Sequence, residues 1–159
     1  MKALSNFIAT IEKYSAVVLM FAMAVIVSLA VLFRYLLNSP LSWAGEVSVF
    51  LLIWISFIGG SLGLKVKSQA AVTIALDYVS AKVKRNIGIF GHLLMLLFLG
   101  VLLYYSYKWV LSPGVTFQKS TALLLPMWIP FSAVPVGLTF GTIHLLSNLI
   151  DLVREEEVQ

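Results

Sequence analysis

Two histidines are the side chains of this sequence best suited to bind a cofactor. His92 lies about five residues inside one long apolar stretch, and His144 lies about six residues before the end of another. In antiparallel membrane helices both imidazoles would lie at one depth, where they could hold a haem between them. Hydrogen bonding between helices is the commoner use of such residues. A haem-bearing membrane anchor of a redox complex is therefore the alternative hypothesis for function.

Arg34 and Glu46 are the charged residues closest to the apolar stretches. Arg34 closes the first stretch and Glu46 opens the second, so a short hairpin places both near one membrane boundary. A charge deep in lipid costs about 2.5–3.5 kcal/mol, and pairing offsets part of that cost. Either the two residues form a structural ion pair that fixes the hairpin or meets a partner, or they are independent boundary charges. Glu46 lies too near the surface for the embedded carboxylate of a small proton-coupled exporter.

The composition excludes several classes of function. Of the 159 residues 60% are hydrophobic and 11% are charged, whereas a soluble domain has about 25% charged residues. The chain has no cysteine, which removes disulfides, thiolate metal sites and cysteine nucleophiles. The net charge of +4 does not indicate nucleic acid, because basic residues of a membrane protein mark its topology. We expect no catalytic residue, no metal site and no cofactor, and hence no enzyme.

Four apolar stretches of membrane-spanning length must position these residues. About 20 helical residues cross a hydrocarbon core of about 30 Å. The sequence therefore predicts an all-α membrane protein with one four-helix domain over residues 1–159. The first stretch exceeds the apolar core of a signal peptide, so we expect it to be a retained span. The predicted spans are residues 16–36, 47–64, 87–110 and 127–150.

The distribution of basic residues predicts the orientation in the membrane. Eight basic residues lie on the side that carries both termini and the second loop, and three lie on the opposite side. The positive-inside rule therefore places both termini in the cytoplasm. The eight are Lys2, Lys13, Lys65, Lys67, Lys82, Lys84, Arg85 and Arg154, and the three are Arg34, Lys108 and Lys119.

Helical periodicity also occurs outside the spans. Apolar residues of the second loop recur every three or four positions beside a polar flank, which predicts a short amphipathic helix on the cytoplasmic surface. That helix either shields its own apolar side or contacts a partner or lipid. A weaker stripe precedes the first span. The loop residues are Val72, Leu76, Val79 and Val83, and the weaker stripe is Leu4, Phe7, Ile8 and Ile11.

Small residues at intervals of four predict close helix packing. Gly59 and Gly63 form one such pair, and Gly137 and Gly141 form another. In a membrane, close approach of helix backbones through small residues is a main route to packing. These four glycines are therefore candidate packing residues inside the domain. A partner surface is the less common use of such a seam.

Tryptophans and prolines mark the ends of the spans. Trp43 and Trp128 lie where indole rings anchor helices at the headgroup level, while Trp54 is too deep for that role. Trp54 is expected to fill a gap between helices or to face another subunit. Pro135 is expected to bend the fourth helix. No pair of interrupted helices marks a substrate site at the midplane, which argues against transport by this chain alone.

Three blocks of residues stand out along the chain. The blocks are Phe33-Arg34-Tyr35 with Leu41-Ser42-Trp43-Ala44-Gly45-Glu46, then Trp54, Phe57 and Gly59, and finally Pro126-Met127-Trp128-Ile129-Pro130. Together they resemble a known family, the small membrane subunit (DctQ type) of tripartite ATP-independent periplasmic (TRAP) transporters. The resemblance covers essentially the whole chain. The sequence departs from the family pattern where Gly45 stands before Glu46 and where Gln69 and Thr73 replace a His and an Asp.

The resemblance implies a non-catalytic scaffold subunit in the bacterial inner membrane. In that family a large multi-span subunit binds an organic acid and sodium ions, and a periplasmic substrate-binding protein delivers the acid. The implied activity is sodium-coupled import of a dicarboxylate, sialic acid or a similar acid, with the lipid bilayer as the remaining partner. The residues implied in structural or subunit-contact roles are Arg34, Trp43, Glu46, Trp54 and Trp128.

Overall fold

A computed structural model describes residues 1–75 and 81–154. Within these residues the chain is helical, and an isolated β-bridge between Lys119 and Pro126 is its one extended pairing. Four of its helical segments are long and apolar enough to cross a membrane, which confirms the predicted all-α class. The helices are α1 Lys2–Leu36, α2 Ala44–Ala75, α3 Ala81–Val110, α4 Pro113–Thr116, α5 Trp128–Phe131 and α6 Ala133–Arg154.

The first two helices are longer than a membrane crossing requires. Helix α1 has 35 residues, which corresponds to about 52 Å of helix against about 30 Å of hydrocarbon. Lys2 Nζ lies 3.2 Å from Asp151 Oδ1, so the beginning of α1 and the end of α6 meet. We call this the termini end of the molecule. The opposite end, with the α1–α2 connection and residues 111–127, is the hairpin end.

Proline chemistry explains why the fourth apolar stretch is two helices. Helix α5 ends at Phe131 and α6 begins at Ala133, so Ser132 separates them. Pro135 has no N–H to donate to the carbonyl of Phe131, and its ring crowds that carbonyl. The bend predicted at Pro135 is thus observed as a break one turn earlier. The Ser132 carbonyl does accept a hydrogen bond, from the amide of Val136 at 3.1 Å.

The long helices form an open row in the order α1–α2–α6–α3. Extended contacts join α1 to α2, α2 to α6 and α6 to α3, while α1 and α6 touch at few places. The solvent-accessible surface is 10481 Å², whereas a compact soluble protein of this mass exposes about 7,900 Å². The excess follows from the row, because each long helix leaves apolar surface for lipid or protein to cover.

Burial is concentrated in α6, one of the two inner helices of the row. Eight of its residues are buried, including Gly137, Gly141, His144 and Leu145. In α1, by contrast, the buried residues all belong to the first twelve of the chain. The membrane-embedded part of α1 is therefore peripheral to the fold.

The weaker stripe before the first span lies within α1 and mostly faces away from the other helices. Leu4, Phe7 and Ile11 are exposed, and only Ile8 of that stripe is buried. The buried face of this part of α1 consists of Ser5, Ile8 and Glu12. The inward face is polar because it meets His144, described below. Apolar residues can point outward there since that surface continues the lipid-facing side of the helix.

The amphipathic helix predicted between the second and third spans falls partly outside the described residues. Its first part, up to Ala75, belongs to α2, and its last part, from Ala81, belongs to α3. Leu76 and Val79 lie in the segment 76–80, outside the described part of the chain. A separate surface helix here stays a prediction.

The two glycine pairs differ in their surroundings. A Cβ atom built on Gly137 would lie 2.7 Å from Phe57 Cβ and 2.8 Å from the Phe57 carbonyl oxygen. One on Gly141 would lie 2.9 Å from Leu64 Cδ1. Gly59 and Gly63 have no such neighbour within 4 Å in the described residues. The close approach of α6 to α2 therefore depends on the α6 glycines, and a packing role for Gly59 and Gly63 stays a prediction.

Candidate functional site

A hydrogen-bonded chain of three buried side chains joins α1 to α6 near the termini end. The imidazole of His144 lies between the other two groups: its Nδ1 is 2.7 Å from Ser5 Oγ and its Nε2 is 2.8 Å from Glu12 Oε2. The side chains of His144 and Glu12 are 0% and 1% exposed. Apart from Leu145, they are the largest fully buried side chains of the protein.

The proton positions follow from the donor and acceptor properties of the three groups. An ionised carboxylate only accepts, so Nε2 of His144 carries a hydrogen and donates it to Glu12. Nδ1 then accepts from the Ser5 hydroxyl if the ring is neutral and donates to it if the ring is charged. In both states the two nitrogens of His144 are occupied by protein.

This occupation removes His144 as a haem ligand. A bis-histidine haem site needs one free imidazole nitrogen from each residue, and His144 offers none. His92 is also buried. Its Nδ1 donates to the carbonyl oxygen of Gly88 in its own helix at 2.8 Å, so only its Nε2 could bind a metal, and no second histidine is left to complete a bis-histidine site. The sequence analysis therefore predicts correctly that His144 makes a buried contact, but it suggests haem as the partner in place of Glu12 and Ser5.

Further polar contacts surround the three residues. Lys65 of α2 donates from Nζ to Asn6 Oδ1 at 2.8 Å and to the Ser5 carbonyl oxygen at 3.2 Å. Asn148 of α6 donates from Nδ2 to the Lys65 carbonyl oxygen at 3.4 Å. These contacts connect α1, α2 and α6 at one level. We call Ser5, Glu12, Lys65 and His144 the termini clamp.

The termini clamp resembles the Ser–His–carboxylate order of a hydrolytic triad without the access that catalysis needs. A triad exposes its hydroxyl oxygen to substrate beside an oxyanion site. Ser5 is 3% exposed, and its neighbours in the contact are helix side chains. The arrangement can hold helices in one register, because a buried hydrogen-bonded pair tolerates little displacement of either partner.

A second polar contact fixes the hairpin end, and it involves Glu46 in the first turn of α2. One carboxylate oxygen accepts from the Thr121 amide at 2.9 Å and from the Thr121 hydroxyl at 3.3 Å. The other accepts from the amides of Ala122 at 3.2 Å and Leu123 at 2.9 Å. We call Glu46 and residues 121–123 the hairpin clamp. It ties the loop before α5 to the start of α2.

The loop is shaped to present these amides. The amide of Ser120 donates to the Leu125 carbonyl at 2.8 Å, and that of Met127 donates to the Gln118 carbonyl at 2.9 Å. Leu124 at the tip has a φ of 54°, a left-handed conformation that costs a non-glycine residue roughly 1–3 kcal/mol. The carboxylate of Glu46 offsets this cost by bonding the consecutive amides that the turn exposes.

The other residues singled out from the sequence lie apart from both clamps. Arg34 is exposed and Glu46 is engaged by the loop, and no ion pair joins the two among the described residues. Trp43 and Trp128 are partly exposed near the hairpin end, at the starts of α2 and α5. Trp54 lines an apolar groove of about 600 Å³ between α1 and α2, together with Val18 and other residues.

Ser5 and Glu12 are functional candidates that hydropathy does not select. They precede the apolar stretch, so a search for membrane spans passes over them. Two signals were available in the sequence. Glu12 is the only acidic residue before Glu46, and it lies seven positions after Ser5, on the same face of a helix. Nothing in the sequence, however, pairs that face with His144.

Comparison with known proteins identifies several small permease subunits. The chain is 23% identical over 154 residues to the sialic acid TRAP transporter small permease protein SiaQ of Vibrio cholerae serotype O1 (strain ATCC 39315 / El Tor Inaba N16961), covering 97% of this chain and 88% of SiaQ. It is 24% identical over 163 residues to the C4-dicarboxylate TRAP transporter small permease protein DctQ of the same strain, covering 89% and 70%.

A third relative is a much longer protein. The isethionate TRAP transporter permease protein DctMQ of Oleidesulfovibrio alaskensis (strain ATCC BAA-1058 / DSM 17464 / G20) is 28% identical over 152 residues. The match covers 92% of this chain, which spans only 24% of the length of that relative. The similarity therefore concerns one part of the longer protein.

A family profile also matches most of the chain. The family described as "Tripartite ATP-independent periplasmic transporters, DctQ component" matches residues 23–155, which begin inside the first membrane-length helix and include all later helices. Its members are non-catalytic transporter subunits, which agrees with the four membrane-length helices. The chain therefore belongs to the DctQ family, as a multi-pass inner-membrane protein that is not an enzyme.

Proposed function

We propose that this chain is the scaffold subunit of a sodium-coupled TRAP-type transporter that imports an organic acid. Its partners would be a large multi-span membrane subunit, which carries the acid and the sodium ions, and a periplasmic substrate-binding protein. The relatives are named for C4-dicarboxylate, sialic acid and isethionate transport. A small organic anion is therefore the class of substrate that we propose for the complex.

The observation that carries the proposal is the open row of helices held by a polar clamp at each end. A row has two broad apolar faces, so it can lie against a larger membrane protein over a wide area. The termini clamp connects α1 to α6, and the hairpin clamp connects α2 to the loop before α5. A rigid wall of this kind suits a partner whose own domain moves during transport.

The residues proposed for subunit contact lie on surfaces that a partner could cover. Trp54 lines a groove wide enough to accept an apolar side chain of another helix, and large aromatic residues are common at protein interfaces. Gly59 and Gly63 face open space, where a neighbouring helix could approach the backbone. Trp43 and Trp128, with part of each ring exposed, complete the set on the hairpin end.

We propose further that both termini are cytoplasmic. The ion pair between Lys2 and Asp151 supports this, because it brings the start of α1 and the end of α6 together, and the predicted topology assigns eight of the eleven basic residues to that side. The positive-inside rule favours the cytoplasm for it. The hairpin clamp would then face the periplasm, where the substrate-binding protein arrives.

Reconstitution tests the proposal directly. The tagged chain is purified from its native membrane, the co-purifying multi-span protein is identified, and the proteins are placed in liposomes with and without the binding protein. We expect uptake of an organic acid only when all three proteins are present and a sodium gradient is imposed. A potassium gradient of the same size is the control for sodium coupling.

Two results would contradict the proposal. Uptake by liposomes that contain this chain alone would show that it is itself a carrier. Full uptake by the large subunit and the binding protein without this chain would show that no scaffold is needed.

A further inference from the structure

A cavity lies at the hairpin end between the last turns of α1 and the first turn of α2. Its volume is about 370 Å³, near the lower end of the range for small-molecule sites. Val27, Ala30 and Val31 of α1 form an apolar wall that continues into the membrane-embedded part of the helix. Pro40 of the connection also lines the cavity.

Arg34 supplies the charge of this cavity. Its side chain lines the space and makes no hydrogen bond or ion pair with the described part of the chain. Glu46, the nearest acidic residue in sequence, is occupied by the amides of residues 121–123. A guanidinium has five N–H donors in a planar fork. At the membrane boundary an anionic acceptor would give these exposed donors charge-assisted hydrogen bonds in place of bonds to water.

We propose that this cavity binds a phospholipid of the leaflet at the hairpin end, with the phosphate on Arg34. The guanidinium fork matches two phosphate oxygens and gives a bidentate, charge-assisted contact. Val27 lies seven residues from Arg34, about 10 Å along the helix. That separation lets one acyl chain follow the apolar wall while the phosphate stays at the boundary. The proposal is independent of the transporter role.

Native mass spectrometry of the full chain in detergent tests the proposal. The protein is delipidated and titrated with phosphatidylglycerol, with diacylglycerol of the same acyl chains, and with inorganic phosphate. We expect one phosphatidylglycerol to bind, diacylglycerol to bind at least about tenfold more weakly, and inorganic phosphate not to displace the lipid at equal concentration, because the site uses both charge and apolar wall.

Two charge-neutralising variants make the test specific for the site. Arg34→Gln is expected to weaken phosphatidylglycerol binding about tenfold, because it removes the bidentate contact. Lys108→Gln removes an equal charge from an exposed position of α3 and is expected to leave binding unchanged. Circular dichroism and size-exclusion chromatography confirm that both variants fold like the parent.

Several outcomes would overturn the proposal. Equal binding to Arg34→Gln and to the parent would exclude the phosphate contact. Equal binding of diacylglycerol would reduce the cavity to an apolar groove, and displacement by inorganic phosphate would make it a site for free anions. Failure of the parent to bind phosphatidylglycerol would exclude a lipid site in this cavity.

Discussion

Glu12 and His144 are an ionisable pair in a protein with very few buried large side chains. Removing one partner of a buried charged pair leaves the other without compensation, and that penalty exceeds the loss of an ordinary hydrogen bond. The pair also joins the first helix to the last. The pair therefore stabilises the fold by fixing the position of α1 along α6.

We expect Glu12→Ala to lower the free energy of unfolding by about 2–4 kcal/mol, since it strands the imidazole of His144 in a buried position. Thermal unfolding in detergent, followed by circular dichroism, measures the change. Lys13→Ala is the matched control, because Lys13 is the exposed neighbour of Glu12 and its loss is expected to shift stability by less than about 0.5 kcal/mol. Equal melting curves for the two variants would contradict a stabilising role.

The position of Glu46 could be predicted from the sequence, but its hydrogen-bond partners could not. Its place at the start of the second span is plain from hydropathy, and Arg34 is the obvious partner. In the structure the carboxylate instead accepts hydrogen bonds from the backbone amides of residues 121–123. Backbone amides carry no sequence signature, so a contact 75 or more residues away could not be predicted from the sequence.

We expect Glu46→Gln to accelerate hydrogen exchange at the amides of Thr121, Ala122 and Leu123 about tenfold, because a neutral amide oxygen replaces a charged acceptor. Hydrogen–deuterium exchange of the peptide that covers residues 118–127 measures this. Asp151→Asn, which removes an acidic group at the termini end, should leave the peptide unchanged. Unaltered exchange in Glu46→Gln would show that the loop holds its shape without the carboxylate.

At the scale of elements, the two glycine pairs show which part of helix packing can be predicted from residue spacing alone. Both have the interval of four that favours close helix contact. Within residues 1–75 and 81–154, only Gly137 and Gly141 of these four meet another helix, because they lie on the face of α6 that turns toward α2. Spacing identifies a possible seam, but which face of a helix is covered depends on the order of the helices in the row.

The pairs therefore predict opposite outcomes for the same substitution. Gly137→Ala places a methyl group against the Cβ and carbonyl oxygen of Phe57, and we expect it to cost about 1–3 kcal/mol. Gly59→Ala meets open space, and its stability should be unchanged or slightly higher, because alanine favours helix. Thermal unfolding of both variants checks this. A destabilised Gly59→Ala beside an unaffected Gly137→Ala would reverse the proposed packing.

At the scale of the whole molecule, four membrane-length helices were predictable because apolar length is a strong signal. Their order in the row was not, since every span is apolar on most sides. The termini clamp was missed for a related reason. Ser5 and Glu12 lie in the part of α1 before the predicted start of the first span at residue 16. The weak apolar stripe there indicates a helix, but it does not indicate that the polar face of this helix packs on α6.

The topology can be measured in sealed spheroplasts with a membrane-impermeant maleimide. The chain has no cysteine, so single cysteines introduced as Lys2→Cys and Phe117→Cys report without background. Phe117 is 84% exposed at the hairpin end. We expect Phe117→Cys to react in intact spheroplasts and Lys2→Cys to react only after detergent is added. The reverse pattern would place the termini in the periplasm.

The separation of the clamp residues along the chain has a consequence for synthesis. Glu12 leaves the ribosome 132 residues before His144, which at about 5–20 residues per second is a delay of roughly 7 to 26 seconds. During that interval the carboxylate must remain hydrated, so the start of α1 stays beside the membrane until the last helix has been inserted. Completion of the polypeptide, and not insertion of its first hairpin, is then the event that commits the nascent subunit to its final shape.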